Sequence, residues 1–264
     1  MKNSKFTSSL LLVVAALTLQ SCYEYEPAPS PVTLRAEKLT YSFGSSKSYR
    51  TLTYDAGGRL TTIVSGLTNP EDGTFESTHK LSYSRNLLRS AKSDDQTVIS
   101  YEYSYSSSDI LTETNAYLGN DLYESHKYSY DGLGRLTKDI TWTRNATTGT
   151  LQKNYQIEYK YDSHDNLIEE RRSGYNGSAF VPASTIAYLN FDTKKNSEHF
   201  FMSSLHHPFV IFFQNNPQTQ KLTNANGTSA EQKFTYEYND MGLAIKKFIA
   251  GSDASFEYKF ELVN

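Results

Sequence analysis

The chain has one cysteine, Cys22, and one tryptophan, Trp142, among its 264 residues. A lone cysteine forms no internal disulfide, which excludes a disulfide-stapled scaffold. The mostly apolar stretch from Leu10 to Leu19 falls short of the roughly 20 residues a helix needs to cross a bilayer core. Basic residues do not cluster beyond Arg171-Arg172 and Lys246-Lys247, and the formal net charge is -3. That excludes the concentrated basic face of a nucleic-acid binder. Also missing are a glycine-rich phosphate loop, a Gly-x-Ser-x-Gly elbow and a His-Glu-x-x-His helix, so no catalytic residue is expected. What is abundant is tyrosine, 21 residues of it. Tyrosine is amphipathic and favours strands, which points to half-exposed sheets.

The N-terminus is organised as an address. Lys2 and Lys5 precede the apolar Leu10–Leu19, and Leu19-Gln20-Ser21-Cys22 follows. A basic start and a short apolar core are the parts of a signal peptide. The last four residues resemble the lipobox of bacterial lipoproteins, which implies removal of residues 1–21 and acylation of Cys22. Several acyl chains on one sulfur hold a protein on a membrane almost permanently. Residues 22–34 then read as a proline-rich tether, with Pro27, Pro29 and Pro31 favouring extended polyproline II. The acidic residues after Cys22 resemble surface-export signals of Bacteroidota lipoproteins. The expected location is the cell envelope, as an outer-membrane lipoprotein with surface exposure; the leaflet stays open.

From residue 35 to 264 one pattern recurs: an aromatic strand, Tyr-Asp, a short Gly/Asn turn, then an aliphatic strand. Tyr54–Thr61 and Tyr130–Thr137 are the clearest copies, followed by those starting at Tyr161 and Tyr238. Weaker ones start at Tyr83, Tyr105 and Phe191. The first five intervals run from 22 to 31 residues and the last is 47. Self-similarity at such a period marks a repeat architecture. Tyr101-Glu102-Tyr103-Ser104-Tyr105 and Ile157-Glu158-Tyr159-Lys160-Tyr161 alternate at period two, so rings take one sheet face and charges the other. Asp or Asn begins each turn by bonding its own backbone, and Gly supplies positive φ. Arg59 and Arg135 are expected to lie along neighbouring aromatics or to pair with a turn Asp.

The copies at 54–61 and 130–137 resemble the YD repeats of Rhs and teneurin proteins, whose curled sheets in Rhs proteins form a shell around a toxin. This chain is too short for such a shell. A nearer resemblance is to Bacteroidota lipoproteins with YD-like repeats. In those, an Asp-x-Lys-x-Asn signature precedes an aromatic insert and an Asn pair. Here these are Asp192-Thr193-Lys194-Lys195-Asn196, then Phe200-Phe201 and Pro208-Phe209, then Asn215-Asn216. No activity comes with the resemblance. The predicted fold is all-β: an antiparallel meander of repeated hairpins forming a curled, strongly twisted sheet. One short helix is expected in the 197–217 insert, which is expected to plug one end or face.

Candidate chemistry is sparse. His206-His207 beside His199 is the best metal pattern, yet adjacent histidines on a strand point to opposite faces. No metal site and no cofactor are therefore expected. Glu169-Glu170 and Asp94-Asp95 fail in the same way as a facing carboxylate pair. Trp142, with Tyr117 and Tyr175, is the candidate ligand-stacking surface, because rigid rings bind at low entropy cost. The expected function is a membrane-anchored binding or scaffold module for a glycan or an envelope protein. An envelope hydrolase and a relative of Rhs shells are the alternatives. A histidine near two acids would favour the hydrolase, and a curved face of Tyr and Trp would favour binding.

Overall fold

In the computed structural model, which describes residues 33–202 and 204–263, five residues begin turns of the same construction: Asp55, Ser106, Asp131, Asp162 and Asn239. In each, the side-chain oxygen accepts the backbone N–H groups two and four residues on. For Asp131 these come from Leu133 at 2.9 Å and Arg135 at 3.0 Å. Asn239 does the same with Met241 and Leu243, and Ser106 with Ser108 and Ile110. The residue three places on has positive φ: Gly58 at 80°, Gly134 at 79° and Gly242 at 74°. Asp109 and Asp165 hold that place at 60° and 61°, a conformation short polar side chains tolerate. A turn aspartate is thus replaceable wherever another short side chain offers an acceptor oxygen.

Each of these turns also carries a register shift just before its tyrosine, between Thr53 and Tyr54, Ser104 and Tyr105, Ser129 and Tyr130, Lys160 and Tyr161, and Glu237 and Tyr238. The shift sets Tyr54 opposite Leu60 and Tyr130 opposite Leu136, so ring and aliphatic chain share one face. Bulges of this kind bend a strand and raise its twist.

The strands in chain order are β1 (Thr33–Phe43), β2 (Ser46–Tyr54), β3 (Leu60–Asn69), β4 (Gly73–Ser84), β5 (Leu87–Lys92), β6 (Ile99–Tyr105), β7 (Leu111–Leu118) and β8 (Asp121–Tyr130). They continue as β9 (Leu136–Arg144), β10 (Leu151–Tyr161), β11 (Leu167–Tyr175), β12 (Phe180–Lys195), β13 (Asn215–Asn224), β14 (Ser229–Tyr238), β15 (Ala244–Ile249) and β16 (Ser255–Val263). Each pairs antiparallel with its sequence neighbours. β16 also pairs with β1, from Thr33 opposite Val263 to Ser42 opposite Ser255, closing a barrel.

This corrects the expected curled, strongly twisted sheet to a closed barrel. The repeated bulges curl the sheet until its first and last strands meet, and closure leaves no unpaired edge. The short chain does not prevent it, since sixteen brief strands suffice. The expected helix is corrected too. Among its described residues the insert holds a four-residue 3-10 turn, Glu198–Phe201, and no longer helix, and residues 210–213 are loop. The leader 1–21, Cys22 and residues 23–32 of the tether lie outside the described residues.

Along β10 rings face inward and charges outward. On β10, Ile157, Tyr159 and Tyr161 pack into the core, while outward Glu158 pairs with Lys138 on β9 at 3.1 Å. Lys92–Glu102 and Lys259–Glu37 join neighbouring strands the same way. Exposed pairs of this kind add little stability. Their position is informative, however, because a barrel embedded in lipid carries an apolar outer band. The inward tyrosines are also tied down: Tyr83 Oη donates to Leu60 O at 2.8 Å and Tyr161 Oη to Leu136 O at 2.9 Å. The hydroxyl of one hairpin thereby satisfies a carbonyl at the preceding one, as buried polar groups require.

Candidate functional site

The insert between β12 and β13 is a sixth turn of the same family, opened out. Asp192 Oδ1 accepts the N–H of Lys194, two residues on, at 2.9 Å. Its second N–H comes from Asn216 at 3.1 Å, with the whole insert looped out between. Asn196 Nδ2 donates to Asn216 Oδ1, and Asn166 Oδ1 receives the N–H groups of Gln214 and Asn215. The Asp-x-Lys-x-Asn signature and the Asn pair are therefore the neck of a plug.

The plug enters the barrel. Phe201, Met202 and Leu205 are buried against Leu52, Ile63, Leu88 and Tyr258, while Val210, Phe212 and Phe213 pack with Tyr159 and Leu167. Barrel side chains grip its backbone. Arg50 donates to Met202 O, and Tyr103 Oη to Leu205 O at 2.9 Å. Tyr128 Oη and Thr114 Oγ1 both donate to His206 O, at 2.5 and 2.9 Å. A barrel of sixteen strands that is wide enough to hold an aqueous channel in porins is here filled by rings and plug.

That grip brings His206 and His207 against strands β8 and β9. His126 Nδ1 and His207 Nε2 both donate to Asp139 Oδ2, at 2.8 and 2.9 Å. On its other side His126 Nε2 lies 3.6 Å from Glu124 Oε2. The His126 and His206 rings are 4.5 Å apart. Asp139 and His126 are almost wholly buried. Burial opposes a charge on His126, but the Asp139 and Glu124 carboxylates outweigh it and raise its pKa to about 9. Burial and the neighbouring His126 push His206 down to about 4. Burial also opposes charge on Asp139, and its bonds from His126 and His207 win, holding it below the usual carboxylate range. Among the described residues, His126 Nε2, His206 Nδ1 and Asp139 Oδ1 are buried without a hydrogen-bond partner.

A cavity lies elsewhere, at the barrel end that carries the tyrosine turns. It measures about 620 Å³ and is walled by Tyr54, Tyr83, Phe200, Met202, Phe209 and Ile211, with Arg59, Asn86 and His199 among them. Phe209 and Ile211 separate it from a second cavity of about 370 Å³ beside Arg135 and Asp165. Met202 and Phe209 have φ of 44° and 63°. Left-handed backbone of this kind costs roughly 1–2 kcal/mol at a non-glycine residue and tends to collect at functional sites.

The predicted site residues fare differently. His206 and His207 join a cluster, since they sit in a loop rather than on a strand; His199 lines the cavity instead. The useful signal was Glu124-x-His126-x-Tyr128-x-Tyr130, which sets a carboxylate and a histidine on the ring face of β8. Trp142 and Tyr175 come together on the outer surface around Lys153, whose Nζ is 5.6 Å from one ring and 5.7 Å from the other. Tyr117 stands apart, beside Lys92 and Glu102. Glu169 pairs outward with Arg171, whereas Glu170 turns inward and accepts from Tyr188 Oη at 2.6 Å. Asp94 pairs with Lys80, and Asp95 caps Thr97 in a loop.

No protein-family model matches the sequence, and no curated protein matches it. Solved structures do. The barrel superposes on a porin-like protein from Bacteroides uniformis with a TM-score of 0.60 at 12% identity, over 88% of this chain and 98% of that one. A porin-like protein from Bacteroides vulgatus gives 0.49 at 12% identity, over 87% and 99%. A TcdB2-TccC3 structure gives 0.36 at 14% identity, over 79% of this chain and 13% of that one. The last two superpose too loosely to carry an argument. The first likeness shows that this chain shares its barrel fold with a porin-like protein of Bacteroides uniformis.

Proposed function

We propose that this chain is a lipid-anchored binding module of the bacterial cell envelope, related to the YD-repeat lipoproteins of Bacteroidota, and that it binds ligand at the plugged mouth. The observation that carries this reading is the open cavity of about 620 Å³ beside Phe200, Phe209 and Ile211. Pockets of that size with a few polar groups in an apolar wall suit a small ligand. The rings of Tyr54 and Tyr83 suit the face of a sugar, the plug residues suit an apolar group, and Arg59 offers a donor. A glycan bearing an apolar moiety is the ligand class this wall fits. β1 enters at the same barrel end, so a lipid on Cys22 would keep the mouth nearest the membrane. The filled lumen and charged exterior argue against a pore.

Arrays of glycans and glycolipids, probed with the full-length lipoprotein in nanodiscs, test the binding reading. Binding is expected and should weaken at least tenfold in Arg59→Ala and Phe209→Ala; equal binding by the variants overturns the site. Labelled fatty acid fed to expressing cells tests the anchor, since Cys22→Ala should abolish incorporation. The hydrolase alternative has one observation in its favour: His126 lies between Glu124 and Asp139. These groups do not line the cavity, so substrate filling the mouth would not meet them.

A further inference from the structure

We propose that Glu124, His126 and His206 form a binding site for a zinc-class divalent cation, with Asp139 and His207 as its outer shell. The ligating atoms of those three residues lie within 4.8 Å of one another. The separation of 3.6 Å between His126 Nε2 and Glu124 Oε2 is close to the ~3.4 Å that two ligands at ~2.1 Å span in a tetrahedral site. The hydrogen-bond pattern selects this trio over His126, Asp139 and His207. Asp139 Oδ2 already accepts an N–H from each of those histidines at 2.8 and 2.9 Å, so protons occupy the space between them.

On the other side the pattern reverses. His126 Nε2 is buried and, among the described residues, has no hydrogen-bond partner; nor does His206 Nδ1. His126 itself is 2% exposed. A buried ring nitrogen with no partner is costly unless something meets it. Donation from Nδ1 to a buried carboxylate is how proteins orient a metal-ligating histidine, and a cation at Nε2 would take the place of the proton that the two carboxylates favour on that ring. His206 is fixed too. Its carbonyl takes two hydroxyl donors, and its ring stands perpendicular to that of Tyr101 with centroids 5.1 Å apart. Two imidazoles and one carboxylate suit zinc, and three protein ligands leave a fourth position for water or ligand. The site joins plug to wall, since His206 comes from the insert and the others from β8.

The test uses the full chain, stripped by chelator and confirmed folded by circular dichroism. Zn²⁺ titrated by calorimetry should bind once per chain. Glu124→Gln and His206→Ala should each weaken binding at least a hundredfold. Asp139→Asn should weaken it ten- to a hundredfold, and His164→Ala, on an exposed turn, should leave it unchanged. Co²⁺ on the wild-type chain gives an independent reading, because a four-coordinate site yields intense visible bands that Zn²⁺ abolishes. The proposal is overturned if the folded wild-type chain takes up no Zn²⁺ at micromolar concentration, or if Co²⁺ gives only the weak six-coordinate spectrum. It also falls if Glu124→Gln and His206→Ala bind as tightly as wild type. Failure here leaves the mouth cavity untouched, since no residue belongs to both.

Discussion

Arg135 lies over the ring of Tyr161, 5.1 Å from its centroid, so the arginine of one hairpin stacks on the tyrosine of the next. The same guanidinium forks onto Asp131 at 2.8 Å and reaches Asp165 at 2.8 Å. Arg59 repeats the relation with Tyr83 and Asp55, but with no third partner among the described residues and twice the exposure, 52% against 25%. Arg135→Ala is therefore expected to lower the melting temperature more than Arg59→Ala. Thermal unfolding followed by circular dichroism checks it, and equal losses would show that the Asp165 bond and the deeper burial of Arg135 add nothing.

The turn aspartates can be separated into an acceptor role and a charge role. Asn239 builds the same turn as Asp131 without a charge. Asp131→Asn should therefore stay near wild type in melting temperature and lose only the Arg135 pair. Asp131→Ala removes the acceptor of two N–H groups and should fall clearly below both. If Asn and Ala prove equally harmful, the turn depends on charge rather than on its hydrogen bonds.

These turns were legible in the sequence because every participant lies within five residues. Tyr, Asp and Gly announce the corner, and the alternation before it announces which face holds the rings. The bulge before each tyrosine has no residue type of its own, so a curled, twisted sheet could be expected but its closure could not be read. The pairing that closes the barrel joins Arg35 to Glu261, 226 positions apart. The histidine cluster was hidden for the same reason, since His207 meets Asp139 across 68 positions. Asp139 falls inward only because the register shift at Tyr130 and Leu136 reverses the face a plain alternation would give it.

Acid should loosen the barrel through its corners. The N–H groups of Arg59 and Arg135 hold the Asp55 and Asp131 carboxyls below their usual range. At Asp162 burial opposes this, and the N–H groups of Asn166 and His164 outweigh it. A carboxylate with a depressed folded pKa stabilises fully above its unfolded value, about 3.9, and loses that contribution as pH falls through the folded value. Melting temperature should thus drop steeply below about pH 4. A chain carrying Asp55→Asn, Asp131→Asn and Asp162→Asn should show a shallower drop; an unchanged slope would assign acid sensitivity to other carboxylates.

Asn216 is wholly buried and bonds Asp192, Asn196 and the Lys194 carbonyl at once. Asn216→Ala takes the acceptor from Asn196 Nδ2, at a cost of about 1–3 kcal/mol for a buried group left unsatisfied, while Asp192 keeps the N–H of Lys194 and the Lys194 carbonyl keeps Asn215. The damage should be local first, because the neck holds the plug while the barrel ladder remains. Hydrogen exchange is expected to speed up across residues 204–214 before it does so in β6 or β10. Uniform acceleration across the barrel would mean that plug and wall unfold as one unit.

Phe201 and Phe209 divide the work of the plug between stability and contact. Phe201 is fully buried against Tyr258 and Phe260, whereas Phe209 is 54% exposed and forms a wall of both mouth cavities. Phe201→Ala removes a ring from a closed core and should cost about 3–5 kcal/mol in chemical denaturation. Phe209→Ala removes a half-solvated ring at a left-handed position and should change stability little. It should nonetheless weaken ligand binding at the mouth. The pair is informative because the two outcomes are opposed. A Phe209→Ala chain that unfolds as readily as Phe201→Ala would show that the mouth is part of the core and that the cavity beside it is only a packing gap.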